Sequence, residues 1–107
     1  MNASDLRERI AIERMARIDD GSGGYTEQWA TVASVAAQVL PTGGREVLTG
    51  GSMAGIQGWK VTIRHRPDLS PADRIRWRDK LLNVKSAADP DGKRAWTVAF
   101  AESGVAA

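Results

Sequence analysis

The sequence contains no cysteine and a single histidine, His65. The absence of cysteine excludes disulfides, thiolate catalysis and cysteine zinc sites, and one histidine has no histidine partner for a metal site. No apolar run approaches the roughly 20 residues of a membrane-spanning helix, and residues 1–9 lack the apolar centre of a signal peptide. We therefore expect a protein without membrane, metal or cofactor, made in a cytoplasm.

The remaining composition is that of one folded domain. The chain has 107 residues, of which 42% are hydrophobic and 26% charged. These fractions are close to the averages of soluble globular domains, and the length leaves room for one core. We expect a single domain over residues 1–107.

The net charge of +2 conceals an asymmetry along the chain. Residues 60–94 contain ten basic and five acidic side chains. Five arginines of this segment form a candidate basic face: Arg64, Arg66, Arg74, Arg76 and Arg78. Such a face suits nucleic acid or an acidic protein surface, although alternating arginine is also typical of a solvated strand face.

Apolar and polar residues alternate with period two from Arg9 onward, and helical periodicity is nearly absent. The clearest strand is residues 59–66, where Trp59, Val61 and Ile63 share the inward face. Strands linked by hairpins bury a shared apolar face when the sheet curls on itself. We predict an all-β fold, a small antiparallel β-barrel of about six strands.

The tryptophans provide the predicted core. All four, Trp29, Trp59, Trp77 and Trp96, fall at inward positions or strand starts. In the last predicted strand, residues 93–101, the alternation favours an inward face that consists of Trp96, Val98 and Phe100. The core is accordingly predicted to rest on Trp59, Ile63, Trp77, Trp96 and Val98.

Residues 42–58 contain six glycines in seventeen positions and no periodicity. We predict one long, mobile Gly-rich loop here, because loops beyond about 12 to 15 residues in a compact domain are usually functional or disordered. The candidate channel or docking residues of this loop are Gly43, Gly44, Arg45, Glu46, Val47, Leu48, Gly50, Gly51, Ser52, Met53 and Gly55. A frayed tail is predicted over residues 103–107.

No set of acid, base and nucleophile is apparent in the sequence. Asp89 and Asp91 resemble the start of a calcium loop, but the other ligands and the closing glutamate are missing. The paired glycines are not surrounded by the strand, lysine and helix of a phosphate-binding loop. We predict that the protein is not an enzyme and uses no cofactor.

Several segments together resemble a known family in their order and spacing. The segments are residues 6–10, Gly23-Gly24-Tyr25, Trp29, Val39-Leu40-Pro41, Gly44-Arg45-Glu46, residues 61–69, residues 71–77 and residues 89–92. In this order they resemble the phage head-tail joining proteins, also called head-tail adaptor or head closure proteins. The resemblance covers residues 6–102.

The resemblance implies a small β-barrel that assembles as a ring, dodecameric in the family, in the virion neck. The implied partners are the portal or an adaptor, tail proteins, further copies of the chain, and the DNA that passes through the ring. In some members a long loop between the second and third main strands lines or plugs the channel, and residues 42–58 occupy that place. The arginines would meet acidic edges of neighbouring subunits, and synthesis would take place in the host cytoplasm.

Other interpretations stay open at the level of sequence. A monomeric nucleic-acid-binding barrel of the OB or SH3-like kind would place the same arginines on phosphates, although it lacks exposed aromatic residues for base stacking. A small enzyme or an enzyme inhibitor is a third, less favoured class. The family resemblance is compatible with an adaptor or a closure ring, and with a phage, a prophage or a gene transfer agent.

Overall fold

The computed structural model describes residues 2–104, and most of them lie in β-strands. A short 3-10 helix, Ala3–Asp5, precedes six strands. These are β1 (Glu8–Asp19), β2 (Tyr25–Thr49), β3 (Ser52–Arg64), β4 (Asp73–Trp77), β5 (Lys80–Ala88) and β6 (Trp96–Ser103). No helix within the described range is long and apolar enough to cross a membrane. Of the predicted frayed tail, Ser103 ends β6, and residues 105–107 lie outside the described part.

All strand pairs are antiparallel and belong to one sheet, with the strand order β1-β2-β3-β6-β5-β4. The order closes because residues 11–14 of β1 also pair with residues 73–76 of β4. β3 and β4 consequently lie on opposite sides of the closed order. The predicted all-β fold with six antiparallel strands and almost no helix is confirmed.

The core fills the interior of this closed sheet with branched aliphatic side chains. The largest fully buried side chains are Ile10, Ile12, Val61, Ile63, Ile75 and Leu82. Ile12 and Ile75 are direct partners in the pairing of β1 with β4. Each such side chain contributes about 1.5 to 3 kcal/mol by leaving water. Trp59 and Trp77 pack on this core as predicted.

The inward face of β6 is opposite to the predicted one. Thr97, Ala99 and Ala101 are buried, whereas Phe100 keeps 46% of its surface exposed. Trp96 and Val98 share the outward face with Phe100 and are only partly buried. Isoleucine, leucine and valine from the other strands already fill the interior, which leaves room only for small side chains on β6. The prediction that Trp96 and Val98 belong to the core is therefore wrong.

Two pairs of strands extend beyond the closed sheet as two-stranded ribbons. Ribbon A consists of residues 15–19 of β1 paired with residues 25–29 of β2. Ribbon B consists of residues 45–49 of β2 paired with residues 52–56 of β3. They make the molecule elongated, at 49 × 38 × 24 Å, with a radius of gyration of 15.6 Å. A compact domain of this length has a radius of gyration of about 13 Å.

The prediction of a loop over residues 42–58 is wrong, because this segment forms the β2–β3 hairpin with ribbon B at its end. Gly50 and Gly51 make the turn with φ values of 56° and 85°, which suit a type I′ turn. A Cβ atom at Gly58 would meet the Gly43 carbonyl oxygen and the Thr42 hydroxyl, where the register of β2 shifts. The glycines therefore form a turn and a bulge. Because glycine has no side chain, these positions do not show the apolar–polar alternation that is expected of a strand. The predicted mobility of the segment in the free protein stays a prediction.

Candidate interaction surfaces

A buried carboxylate on β1 is held between two arginines of β4. Glu13 is 7% exposed. Arg74 Nε donates to Glu13 Oε1 at 2.7 Å, and Arg76 Nε donates to Oε2 at 3.1 Å. Burial alone would raise the pKa of Glu13, but the hydrogen bonds and positive charges of the two arginines outweigh it and lower the pKa. Both carboxylate oxygens of Glu13 are therefore occupied by hydrogen bonds that join β1 to β4.

A second carboxylate ties β1 to the start of β4. Arg14 donates to both oxygens of Asp73, from Nε at 2.7 Å and from Nη2 at 2.9 Å. The hydrogen bond from Arg14 is the main cause that lowers the pKa of Asp73, and the backbone N–H of Ser70 adds to it. Arg14 Nη2 also donates to the Asp68 carbonyl oxygen at 3.1 Å. In the sequence Arg14 interrupts the alternation of apolar and polar residues in β1. The structure shows that its side chain is needed there to bind Asp73 and the Asp68 carbonyl.

Glu8 anchors one end of the closed sheet. Its Oε1 accepts from Trp77 Nε1 at 2.8 Å and lies 2.8 Å from Arg78 Nη2. The Trp77 hydrogen bond is the largest cause of the lowered pKa of Glu8. Trp77 also makes an edge-to-face contact with Trp59, at 5.1 Å between ring centroids. A cavity of about 460 Å³ opens beside this cluster, and the one carboxylate of β1 that lines it is already ion-paired.

The five predicted arginines do not form one basic face. Arg74 and Arg76 bind Glu13, Arg78 binds Glu8, and Arg66 lies 3.2 Å from Asp68. Arg64 instead lies with its guanidinium carbon 5.5 Å from the centre of the Trp96 ring. Arg74 and Arg76 are on β4, whereas Arg64 is on β3. These two strands lie on opposite sides of the closed sheet, so the arginines do not share one face. Alternation cannot reveal this separation, which depends on strand order.

Ribbon B and its base contain all the predicted docking residues. Leu48 and Met53 are register partners beside the turn, with 71% and 61% of their surfaces exposed. They are the most exposed large hydrophobic residues in the described range. At the base of the ribbon, Arg45 Nη2 donates to both carboxylate oxygens of Glu102 at 3.0 Å. Exposed apolar side chains at the end of a protruding ribbon are typical of a protein contact.

Ribbon A presents a second exposed apolar group that the sequence reasoning missed. Met15, Ile18 and Tyr25 are all exposed there. The Arg17 guanidinium lies 3.5 Å from the centre of the Tyr25 ring. Apolar and polar residues alternate along this segment, which predicts a buried strand face. The pairing of β1 with β4 ends at Arg14, however, and ribbon A lies beyond that end.

These features define a small β-protein whose candidate functional elements are contact surfaces. Within residues 2–104, no cluster of three or more His, Cys, Asp or Glu side chains is arranged to hold a metal ion. Residues 1–104 match the model of the phage head completion protein family. The chain belongs to this family, which confirms the resemblance to the phage head-tail joining proteins.

Individual relatives agree with this assignment. The chain is 28% identical over 89 residues to head completion protein gp7 of Enterobacteria phage HK97, covering 78% of this chain and 80% of that protein. A chain in the virion of a native gene transfer agent particle has the same fold, with a TM-score of 0.77, 22% identity and coverage of 95% and 97% of the two chains. A protein of Shigella flexneri 2a, known from a solution structure, matches at a TM-score of 0.72 with 24% identity over both whole chains.

Proposed function

We propose that this chain is a structural protein of the virion neck that joins the head, at its portal, to the tail. Membership of the phage head completion protein family over residues 1–104 is the observation that carries the proposal. In this role several copies form a ring, a dodecamer by family resemblance, around the channel through which the DNA passes. The protein is synthesised in the host cytoplasm and acts through its surfaces, without catalysis.

The structure supports contact with neighbours through the ribbons. A two-stranded ribbon is marginally stable by itself in water, and it gains stability when another surface covers it. Ribbon B also ends in an apolar pair, Leu48 and Met53, that nothing in the described part of the chain covers. We therefore assign ribbon B to the contact with the portal or tail, or to the lining of the channel.

The uncharged end of ribbon B, residues 47–54, fits a channel lining better than a site that holds DNA. Residues 47–54 contain no Lys, Arg, Asp or Glu. Binding to DNA depends mainly on cationic side chains that neutralise phosphates. An uncharged ribbon end therefore does not retain DNA that must move past it.

The structure disfavours the alternative, a monomeric nucleic-acid-binding module. Such a module needs arginines that are free to contact phosphates. Arg74, Arg76 and Arg78 already bind Glu13 and Glu8 of the same chain. Their charge is largely compensated within the molecule, so they offer little to a phosphate backbone.

Deletion of the end of ribbon B tests its role. Removing residues 48–49 and 52–53 joins the Gly50–Gly51 turn to the Val47 and Ala54 register pair, so the hairpin keeps its pairing. We expect a nearly unchanged melting temperature, because the two large apolar side chains that are removed, Leu48 and Met53, are both exposed. Particles that carry the shortened chain are expected to lose DNA or to lack tails.

Two outcomes would count against these assignments. Tailed, DNA-filled particles at wild-type yield from the shortened chain would remove ribbon B from the function. Heads that acquire tails normally without this chain would refute the joining role. An exposed residue elsewhere, Leu81, gives the matched control, because Leu81→Ala should leave particle yield unchanged. Amide exchange in ribbon B that is as slow as in β6 in the isolated protein would contradict its predicted mobility.

A further inference from the structure

The outward side chains of β2, β3 and β6 form an exposed surface with an apolar centre, which we call the outer face. Lys60 is the register partner of Leu40 on β2 and of Phe100 on β6. Leu40 is 44% exposed, and Phe100 is similarly exposed. A groove of about 280 Å³ runs beside this row, lined by Lys60, Ser86, Ala88, Pro90, Val98 and Phe100. Its volume suits one large apolar side chain.

The outer face also carries cations without a carboxylate partner in the chain. Within residues 2–104, neither Lys60 nor Arg64 has an acidic oxygen within 4.0 Å. The Arg64 guanidinium carbon lies 5.5 Å from the centre of the Trp96 ring. Glu102, at one end of the face, is already bound to Arg45. The outer face therefore combines an apolar groove with an uncompensated positive charge.

One face of ribbon A has the complementary character. The register pairs Met15 with Trp29, Arg17 with Glu27, and Asp19 with Tyr25, and alternate pairs project from the same side. Met15 and Tyr25 are exposed. Over the described range, Asp19 and Glu27 form no ion pair. Arg17 lies on the same side and stacks on the Tyr25 ring, so this side combines apolar side chains with two carboxylates and one cation, a net negative charge.

We propose that this side of ribbon A from one copy of the chain binds the outer face of a second copy. Tyr25 fills the groove, and Asp19 and Glu27 lie beside Lys60 and Arg64 of the neighbour. Two different surfaces meet, so a pair of copies retains one free ribbon A and one free outer face for the next contacts. Such a head-to-tail contact repeats from copy to copy and closes as a ring when the rotation permits. The inference rests on the proposed assembly in the neck and assigns the surfaces that carry it.

A cysteine pair tests the contact, because the natural chain has no cysteine to interfere. We would place Asp19→Cys and Lys60→Cys in the same chain, assemble it into particles, oxidise them mildly and separate the products without reductant. A disulfide requires Cα atoms within about 7 Å, so only apposed positions react. The expected result is a ladder of covalent multimers beyond the dimer. Each single variant is expected to give no ladder. The pair Asp19→Cys and Lys80→Cys, where Lys80 is an exposed residue at the start of β5, is also expected to give none.

Charge reversal gives an independent readout. Lys60→Glu is expected to lower incorporation into particles by about tenfold, because like charges then face each other. Adding Asp19→Lys and Glu27→Lys should restore incorporation to within about threefold. All three side chains are exposed, so the melting temperature serves as a control for folding.

The outcomes separate the contact from the joining role. If the wild-type chain is present in tailed particles but the cysteine pair at positions 19 and 60 gives no ladder, the contact is overturned and the joining role stays intact. A ladder from the Lys80 control, or no effect of Lys60→Glu, would also overturn it. Wild-type chain that is absent from particles would refute the joining role and the contact together.

Discussion

The interaction of Glu13 with Arg74 and Arg76 allows a sharp test of what joins β1 to β4. Glu13→Gln keeps the shape of the side chain and removes its charge. The Arg74 side chain is only 12% exposed, so water does not replace the lost carboxylate. Arg76 is 50% exposed and recovers most of its solvation.

The expected cost is dominated by Arg74. Removing one partner of a buried ion pair costs about 3 to 5 kcal/mol, whereas the contribution of an exposed pair is about 0 to 1 kcal/mol. The glutamine carbonyl still accepts one hydrogen bond, which places the expected loss near the lower limit, at about 3 kcal/mol. That is a large part of the 5 to 15 kcal/mol by which such domains are usually stable, as an order of magnitude.

Urea denaturation at neutral pH measures this loss. With a slope of about 1 to 2 kcal/mol/M, the midpoint should fall by about 1.5 to 3 M. Glu27→Gln on ribbon A is the matched control, since Glu27 is exposed, and its effect should stay within about 0.5 kcal/mol. A loss below about 1 kcal/mol for Glu13→Gln would show that desolvation of Glu13 cancels its ion pairs, and the reasoning would be refuted.

Three further predictions follow from burial, charge and backbone space. Trp77→Ala should cost about 3 to 5 kcal/mol in a denaturant titration, and the outward Trp96→Ala about 1 to 2 kcal/mol; equal losses would contradict the orientation of β6. Because the folded protein lowers the pKa of Glu13 below its ordinary 4.5, the unfolded chain binds more protons in acid. The unfolding free energy should therefore fall as the pH drops below 4.5, and Glu13→Gln should make its dependence on pH weaker. A pH dependence parallel to that of the wild type would contradict this role of Glu13. Gly58→Ala should cost about 1 to 3 kcal/mol in thermal unfolding because its Cβ would overlap backbone, whereas Gly55→Ala, which meets open space, should cost less than about 0.5 kcal/mol; similar losses would contradict the bulge geometry.

The sequence by itself determined that the chain is built of antiparallel strands and to which family it belongs. Alternation with period two is a local property of an extended chain, so it predicts strands without knowledge of their neighbours. The order of segments such as residues 61–69 and residues 89–92 is likewise visible in one dimension, and it led to the family that residues 1–104 match. The same alternation correctly placed Trp59, Val61 and Ile63 toward the interior or against it.

Only the tertiary structure decided which face of β6 is inside and which charges are compensated. Both alternate sets of β6 contain apolar residues, and the choice depends on how much space the other strands leave, which favours Ala99 over Phe100. The partners of Arg74 and Arg76 are contributed by β1, about 60 residues earlier in the chain. Residues 42–58 pair across a hairpin although their glycines remove the periodic signal. In each case the deciding contact joins residues distant in sequence, or depends on a register that no local pattern encodes.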